Sequence, residues 1–343
     1  MATKGYLFYI SQNYSFEILR PLQEEIRRRG DTVKWLATGN EVNLANFTDN
    51  ETVVDTVADA VAYQPHACFV PGNIIPSFIP GLKVQVFHGL EWKKKGHFVI
   101  RDCFDLYCTH GAATTSRFKQ LAEKHGFFDV VETGWPKLDK LFSSVPGQYF
   151  PNEKPRILYA PTFSPSLTSA PALFNEIKQR AQTGEHNWLV KFHPKMDRDW
   201  IKQYQALESG NFKVIESANI NELLQWAEVM VSDTSSVIGE FSLLGKPVIS
   251  VNNSAPGDYL IDIQQPEQLP QAISAAFSPP SKLMAAIDTY AEELHPYRDG
   301  LSSARILDAV ENILANGKQS QKSLPLNLFR NLKQRKKLGY WRW

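Results

Sequence analysis

The sequence predicts an α/β protein of two Rossmann-like domains facing one another across a cleft. Apolar, β-rich runs alternate with stretches of helical periodicity, the pattern of a parallel sheet covered on both faces. The alternation breaks once, at residues 143–155, where two serines, three prolines and Gly147 intervene, and then resumes. A chain of 343 residues is long enough for two domains, each with its own core. The expected division is 1–145, 146–315 and a distinct tail over 316–343.

Taken in order, Gly5 to Ile10 reads as a strand, and Phe16 to Arg29 as a helix that stops at Gly30. Asp31–Leu36, Pro65–Val70, Lys83–Phe87, Asp105–Cys108 and Asp129–Glu132 read as further strands, with a helix over Thr52–Tyr63. The second series begins with strand Arg156–Ala160 and a helix over Pro171–Gln182, followed by strands Trp188–Phe192 and Phe212–Ile215. A helix over Asn221–Glu228 with an Asn219 cap comes next. Val229 to Ile249 then reads as strand, polar turn, helix and strand, and helices follow over Pro270–Phe277 and Leu301–Leu314.

Composition excludes several classes. Apolar residues are 43% and charged residues 21%, without a run long enough to cross a membrane and without a signal-peptide pattern over Met1–Ile10. Cys68, Cys103 and Cys108 lack the spacing of a zinc ribbon or a disulfide framework, which fits a reducing cytoplasm. No acid or histidine cluster argues for a metal. Gly239 to Lys246 has one residue too many for a phosphate loop and runs into Pro247, and no Gly-x-Ser-x-Gly elbow occurs. The net charge of +1 hides an asymmetry, because Gly317–Trp343 holds eight Lys or Arg and no acid, leaving the body at about −7.

In open parallel sheets ligands sit beyond the carboxyl ends of the strands, so polar residues just past a strand are site candidates. Four such signatures recur: His88-Gly89, Pro161-Thr162, His193-Pro194 and Ser232-Asp233-Thr234-Ser235-Ser236. A helix starting at Ser235 or Ser236 would present unpaired N–H groups and a positive dipole end to an anion, although the same hydroxyls serve equally as helix caps. Histidine takes a proton near neutral pH or offers a donor to phosphate, and Lys93-Lys94-Lys95 either lines an anionic pocket or forms a solvated face. Asp299 or Ser302 is a candidate cap for the last core helix.

Several of these pieces occur together in one order: Phe87-His-Gly, Lys95-Gly96, Gly134-Trp-Pro-Lys-Leu-Asp139, Ile157-Leu-Tyr-Ala-Pro-Thr162, Lys191-Phe-His-Pro194, Ser232 to Ser236 with Gly245-Lys-Pro247, and Asp299-Gly300 with Arg305. Over roughly residues 85–310 the pattern resembles the CDP-glycerol glycerophosphotransferase family of teichoic-acid and capsule enzymes. The resemblance implies a glycosyltransferase-B fold, a CDP-glycerol or CDP-ribitol donor, no cofactor, and a glycan or lipid-linked acceptor. It makes His88 the general base, gives His193 the donor pyrophosphate, and lets Ser235 and Ser236 hold its phosphates. Thr162, Lys191, Ser232, Asp233 and Thr234 complete the donor set, while Gly89, Lys95, Asp139, Asp299 and Arg305 fall on further motif positions. Glu240, one helical turn past the serines, suits the ribose hydroxyls. This chain has Thr234 where the family usually has an aromatic residue, and Trp135 and Leu138 where it usually has Tyr and Asn.

The implied reaction is in-line attack by an acceptor hydroxyl on the phosphorus nearest the alditol, with CMP leaving. A nucleotide-sugar glycosyltransferase or epimerase of the same fold, or a non-catalytic scaffold in polymer assembly, are the alternatives. In the tail, Leu328, Phe329 and Leu332 stand at helical spacing before Tyr340, Trp341 and Trp343 interleave with bases. That composition suits an anionic membrane surface, reached through residues 326–343, better than nucleic acid or a merely disordered basic tail. A cytoplasmic enzyme held peripherally at the inner membrane face is the expectation.

Overall fold

The computed structural model describes residues 3–90, 96–216 and 219–341. It forms two compact units, Met1–Phe142 with Leu294–Trp343, and Ser143–Glu293. The first unit opens with β1 (Gly5–Ile10), α1 (Ser15–Arg28), β2 (Thr32–Ala37), α2 (Val57–Ala62), β3 (Ala67–Val70), β4 (Leu82–Gln85), β5 (Leu106–Thr109), α3 (Ala112–His125), β6 (Asp129–Glu132) and α4 (Lys137–Ser143). Its sheet is parallel in the order β2-β1-β3-β4-β5-β6. Every residue of β3 and β5 is buried, as expected for central strands covered on both faces. The core gathers Leu7, Tyr9, Cys68, Val70, Phe104, Tyr107, Phe118 and Phe128.

The second unit holds β7 (Arg156–Tyr159), α5 (Ala170–Thr183), β8 (Asn187–Val190), α6 (Arg198–Gln205), β9 (Phe212–Val214), α7 (Ile220–Trp226), β10 (Val229–Ser232), α8 (Val237–Ser242), β11 (Val248–Val251), β12 (Ile261–Ile263), α9 (Leu269–Phe277) and α10 (Ser281–Leu294). Its order, β12-β11-β10-β7-β8-β9, is also fully parallel. In each sheet the chain reverses direction at one switch point, between β1 and β3 and between β7 and β10. Ligands of doubly wound sheets bind at such points.

The elements expected from periodicity are present with shifted ends, while α3, α4, α6, α10 and β12 have no counterpart among the expectations. Helix α2 starts five residues late, at Val57, because Thr56 and Asp59 form a reciprocal capping box and Val53 bridges Trp35 instead. Asn219 caps α7 as expected, through the Asn221 amide at 3.0 Å.

The chain then returns to the first unit through α11 (Ser302–Asn316) and α12 (Leu328–Leu338). The division at 315 therefore gives way to one at Leu294, for a physical reason. Arg29, just past α1, reaches Asp308 at 2.8 Å, Lys4 reaches Glu311 at 3.2 Å, and the carboxylate of Asp139 accepts the amides of Ser302 and Ser303 at 2.8 Å each. The cap of α11 is thus supplied by Asp139 from 163 residues away, rather than by Asp299 or Ser302.

The cationic tail is likewise no detached device. Lys318 bonds Asp105 at 2.9 Å, the amides of Gln319 and Ser320 donate to Asp129 at 2.8 Å, and Tyr340 stacks on Phe78 with centroids 5.1 Å apart. Arg335 is buried against both rings, its guanidinium 4.5 Å from the Phe78 ring centre and 5.7 Å from that of Tyr340. Replacing Arg335 by Ala should cost α12 about 1 kcal/mol of local stability, seen as faster amide exchange over 328–338; unchanged exchange there would show that the cation does not hold the helix.

Candidate functional site

The first unit's candidate residue leaves β4 abruptly. Phe87, buried and bulky, adopts φ +60°, a conformation that side chains other than glycine rarely take. The turn brings His88 to the exposed rim beside the switch point. Its Nδ1 lies 3.3 Å from the carbonyl of Pro71, just past β3, and its ring stacks on Tyr14, just past β1, at 5.4 Å. A carbonyl only accepts, so the partner assigns the proton to Nδ1 and leaves Nε2 as the lone-pair nitrogen. Gly89 has an ordinary φ and open space where a Cβ would stand, so local packing does not demand glycine there. Lys95 and its two preceding lysines lie outside the described residues.

In the second unit the switch point is organised by Asp233. Its carboxylate, wholly buried, accepts the amides of Thr162 at 2.9 Å, Thr234 at 2.8 Å and Ser169 at 2.9 Å, and the Ser169 hydroxyl at 3.0 Å. Burial pushes its pKa up and these donors pull it down, burial being the larger effect. Ser232 is also enclosed and donates to the Ala160 carbonyl at 2.7 Å. These two expected donor-binding side chains are therefore internal braces, with their polar atoms engaged by the protein.

The residues they brace do reach the rim. Thr162, Thr234 and Ser235 are half-buried and Ser236 is exposed. The helix beginning expected at Ser235 or Ser236 falls at Val237, and α8 is only six residues long, so its dipole contributes little to anion binding. The Thr234 amide goes to Asp233, the Val237 amide to Ser235 Oγ at 3.4 Å, and those of Ile238 and Gly239 to the carbonyls of Ser235 and Ser236. Thr234 Oγ accepts the amide of Ser254 at 3.1 Å, which draws the loop after β11 to the turn. Glu240 is buried within α8.

His193, exposed just past β8, joins this rim by stacking on Phe163 with centroids 4.3 Å apart. Its Nδ1 accepts the Lys195 amide at 3.1 Å, so in neutral His193 the proton sits on Nε2. Partial burial, then the Lys195 charge, lowers its pKa. With Nδ1 engaged, its Nε2–H is turned outward as a donor. Lys191 turns aside, its ammonium on the Glu216 carbonyl.

Asp139 is the α11 cap, and Asp299 pairs with Arg305, which lies 3.9 Å from the Tyr297 ring centre. All three are thus engaged in structural contacts of the first unit. Tyr14, Phe163 and Ser254 went unnoticed in the sequence. Phe163 follows Pro161-Thr162 directly and Tyr14 follows a strand, so the rule about strand ends could have flagged both.

Two parallel six-stranded sheets with polar rims at both switch points define the class, a glycosyltransferase-B-type α/β protein. Among solved structures of similar fold are a structure described as a UDP-N-acetylglucosamine 2-epimerase from Listeria monocytogenes, with a TM-score of 0.67 at 13% identity over 94% of this chain and 100% of that one. Another is the wall teichoic acid polymerase TagF, with a TM-score of 0.65 at 15% identity over 91% of this chain and 89% of that one. Residues 113–312 match the CDP-Glycerol:Poly(glycerophosphate) glycerophosphotransferase family, and the chain belongs to that family. It is 28% identical over 175 residues to the teichoic acid glycerol-phosphate primase of Bacillus subtilis strain 168, covering 46% of this chain and 44% of the relative. It is 33% identical over 134 residues to the teichoic acid poly(ribitol-phosphate) polymerase of Bacillus spizizenii, covering 36% and 20%. The match thus spans less than half the length of these curated relatives.

The first unit also holds His97 and His110 against Phe87, and His295 against Trp135. His97 and His295 are each pushed down to about 4 by burial, and His110 well below its ordinary value for the same reason. A group held neutral in the fold but free to charge when unfolded stabilises fully above its unfolded pKa near 6.5, and that stability is lost as pH falls toward the folded value. Stability should therefore decline from pH 6.5 to 4, His295 alone accounting for about 3 kcal/mol. Urea unfolding across this range would show it, with a shallower decline in His295→Gln; identical pH dependence in both proteins would remove His295 from the account.

Proposed function

We propose that the chain transfers glycerol phosphate, or a related alditol phosphate, from a CDP-linked donor to a hydroxyl of a cell-surface polymer or lipid-linked acceptor, releasing CMP. The observation that carries this reading is the setting of His88, an exposed imidazole at a switch point whose Nδ1 meets a carbonyl, which in the neutral ring leaves Nε2 as the base. Membership of the glycerophosphotransferase family supports the substrate class, and TagF has been soaked with CDPG.

In the proposed step the acceptor O–H gives its proton to His88 Nε2 while its oxygen attacks the phosphorus nearest the alditol. The bond from that phosphorus to the CMP oxygen breaks, and CMP departs with the electron pair. The second unit binds the donor. Nε2–H of His193 and the hydroxyls of Thr162, Ser235 and Ser236 donate to the pyrophosphate, spreading charge as it develops on the leaving phosphate. Glu240 is the candidate for the ribose hydroxyls.

His88→Ala should lower CMP release by at least roughly a hundredfold while calorimetry finds CDP-glycerol affinity unchanged. Donor binding lost with turnover intact at saturating donor would overturn the role. Presenting UDP-sugars beside CDP-glycerol and CDP-ribitol tests the reaction class, since UDP release without CMP release would replace this reading with a glycosyltransferase.

An anionic membrane surface is the proposed platform, met from the inner face of the cell membrane. The outward stripe of α12 carries Leu328, Phe329 and Leu332 at one end and Lys333, Lys336 and Lys337 at the other, with Phe329 84% exposed. Apolar side chains seated among headgroups, with lysines on anionic lipid, fit this stripe. Because α12 also packs on the first unit, exposed side chains make a cleaner test than truncation. Leu328→Ser with Phe329→Ser should shift the protein from sedimenting phosphatidylglycerol vesicles to the supernatant; unchanged pelleting would sink the platform.

A further inference from the structure

The direction of His88 rests on a residue in none of the roles above. At φ +60° the Phe87 backbone is strained, and such a conformation persists only where its surroundings over-determine it. The Phe87 ring is wedged among His97, His110 and Phe118, with centroids 5.2, 5.4 and 5.2 Å away. Those contacts fix the side chain, but the peptide that follows needs its own restraint. The indole Nε1–H of Trp135 donates to the Phe87 carbonyl at 3.4 Å, the carbonyl of the very peptide that launches His88.

Trp135 is itself pinned. Its backbone amide donates to Nε2 of His295 at 2.9 Å, and its ring is buried 5.6 Å from that of His110. Gly134 before it takes φ +79° in a space where a Cβ would stand 2.5 Å from Ser302 Oγ and 2.7 Å from His295 Nε2. The segment is closed on its other side by Asp139, which holds the amides of Ser302 and Ser303. The segment from Trp135 to Asp139 is thus bonded to the start of α11 at Asp139 and to His295 at the Trp135 amide, and from it the indole reaches the peptide at Phe87.

We propose that Trp135 is a positioning residue for His88: its indole N–H holds the strained Phe87 peptide so that the His88 imidazole meets the Pro71 carbonyl through Nδ1 and keeps Nε2 free. Without that donor the Phe87 peptide is released to relax toward ordinary φ, and the ring swings off both Pro71 and Tyr14. Phenylalanine at 135 would fill the space but offer no donor, so the effect lives in one N–H. This assignment deepens the reading of His88 as the base and rests on it for its kinetic consequence only.

Trp135→Phe in the full chain should lower kcat for CMP release roughly five- to tenfold, the worth of one neutral hydrogen bond, with KM for CDP-glycerol unchanged. In a His88→Ala background the same substitution should cost nothing further. An equal proportional loss in both backgrounds would mean that Trp135 acts elsewhere and would overturn the proposal. ¹⁵N-histidine NMR gives a readout independent of turnover. His88 should be an Nδ1–H tautomer in the unaltered chain and a mixture in Trp135→Phe, and an unchanged tautomer would refute the positioning role even if His88 proved not to be the base. Should the variant fail to fold, the unaltered chain still decides, because a Trp135 indole proton in fast exchange with water would remove the hydrogen bond on which everything depends.

Discussion

The buried carboxylate of Asp233 is the tie on which the second unit's rim depends. The two ends of the connection between β7 and α5, 71 and 64 positions away, and the turn after β10 send four donors to its two oxygens. Each backbone amide would be an orphan without it, and an unpaired buried amide costs as much as a lost hydrogen bond. The same solution recurs in the first unit, where Asp139 receives the first amides of α11. In both places an acid in a motif that suggests chemistry serves to aim other groups.

The two rim histidines show how identical side chains acquire opposite capacities. His88 faces a carbonyl through Nδ1 and His193 faces an amide through Nδ1, so the first exposes a lone pair and the second a proton. A lone pair and a proton are thereby presented by the same residue type. The contrast is set by whether the neighbouring backbone presents oxygen or N–H, which follows from the path of the chain past β3 in one case and past β8 in the other.

Much of the fold was legible because strands buried on both faces write themselves as unbroken apolar runs, as Ala67–Val70 and residues 229–231 do. The rim positions were legible because strand ends are where such sheets bind ligands, and His88, Thr162 and His193 stand there. What was illegible depended on long-range pairing. Strand order, and so the switch points, leaves no local trace. The engagement of Asp233 and Ser232 inside the protein is decided by partners such as Ser169 and Ala160, 64 and 72 positions away. The cap of α11 was misread because Asp299 and Ser302 are adjacent and suitable, whereas Asp139 is remote and better placed. Helix α3, with its threonine-rich start, announced itself weakly, and α6, only eight residues long, shows its apolar face of Trp200, Ile201 and Tyr204 over about two turns.

The return of the chain to its first unit has a bearing on how the molecule is made. Helix α11 supplies the amides that Asp139 is waiting for, and His295 the acceptor for Trp135, yet both are synthesised after every strand of the second unit. A ribosome adds roughly 5–20 residues per second, so the second unit can complete its sheet while the first still lacks its closing helix. The Trp135 segment that bonds the strained peptide before His88 thus receives its own restraints only after all the strands of the second unit have been made.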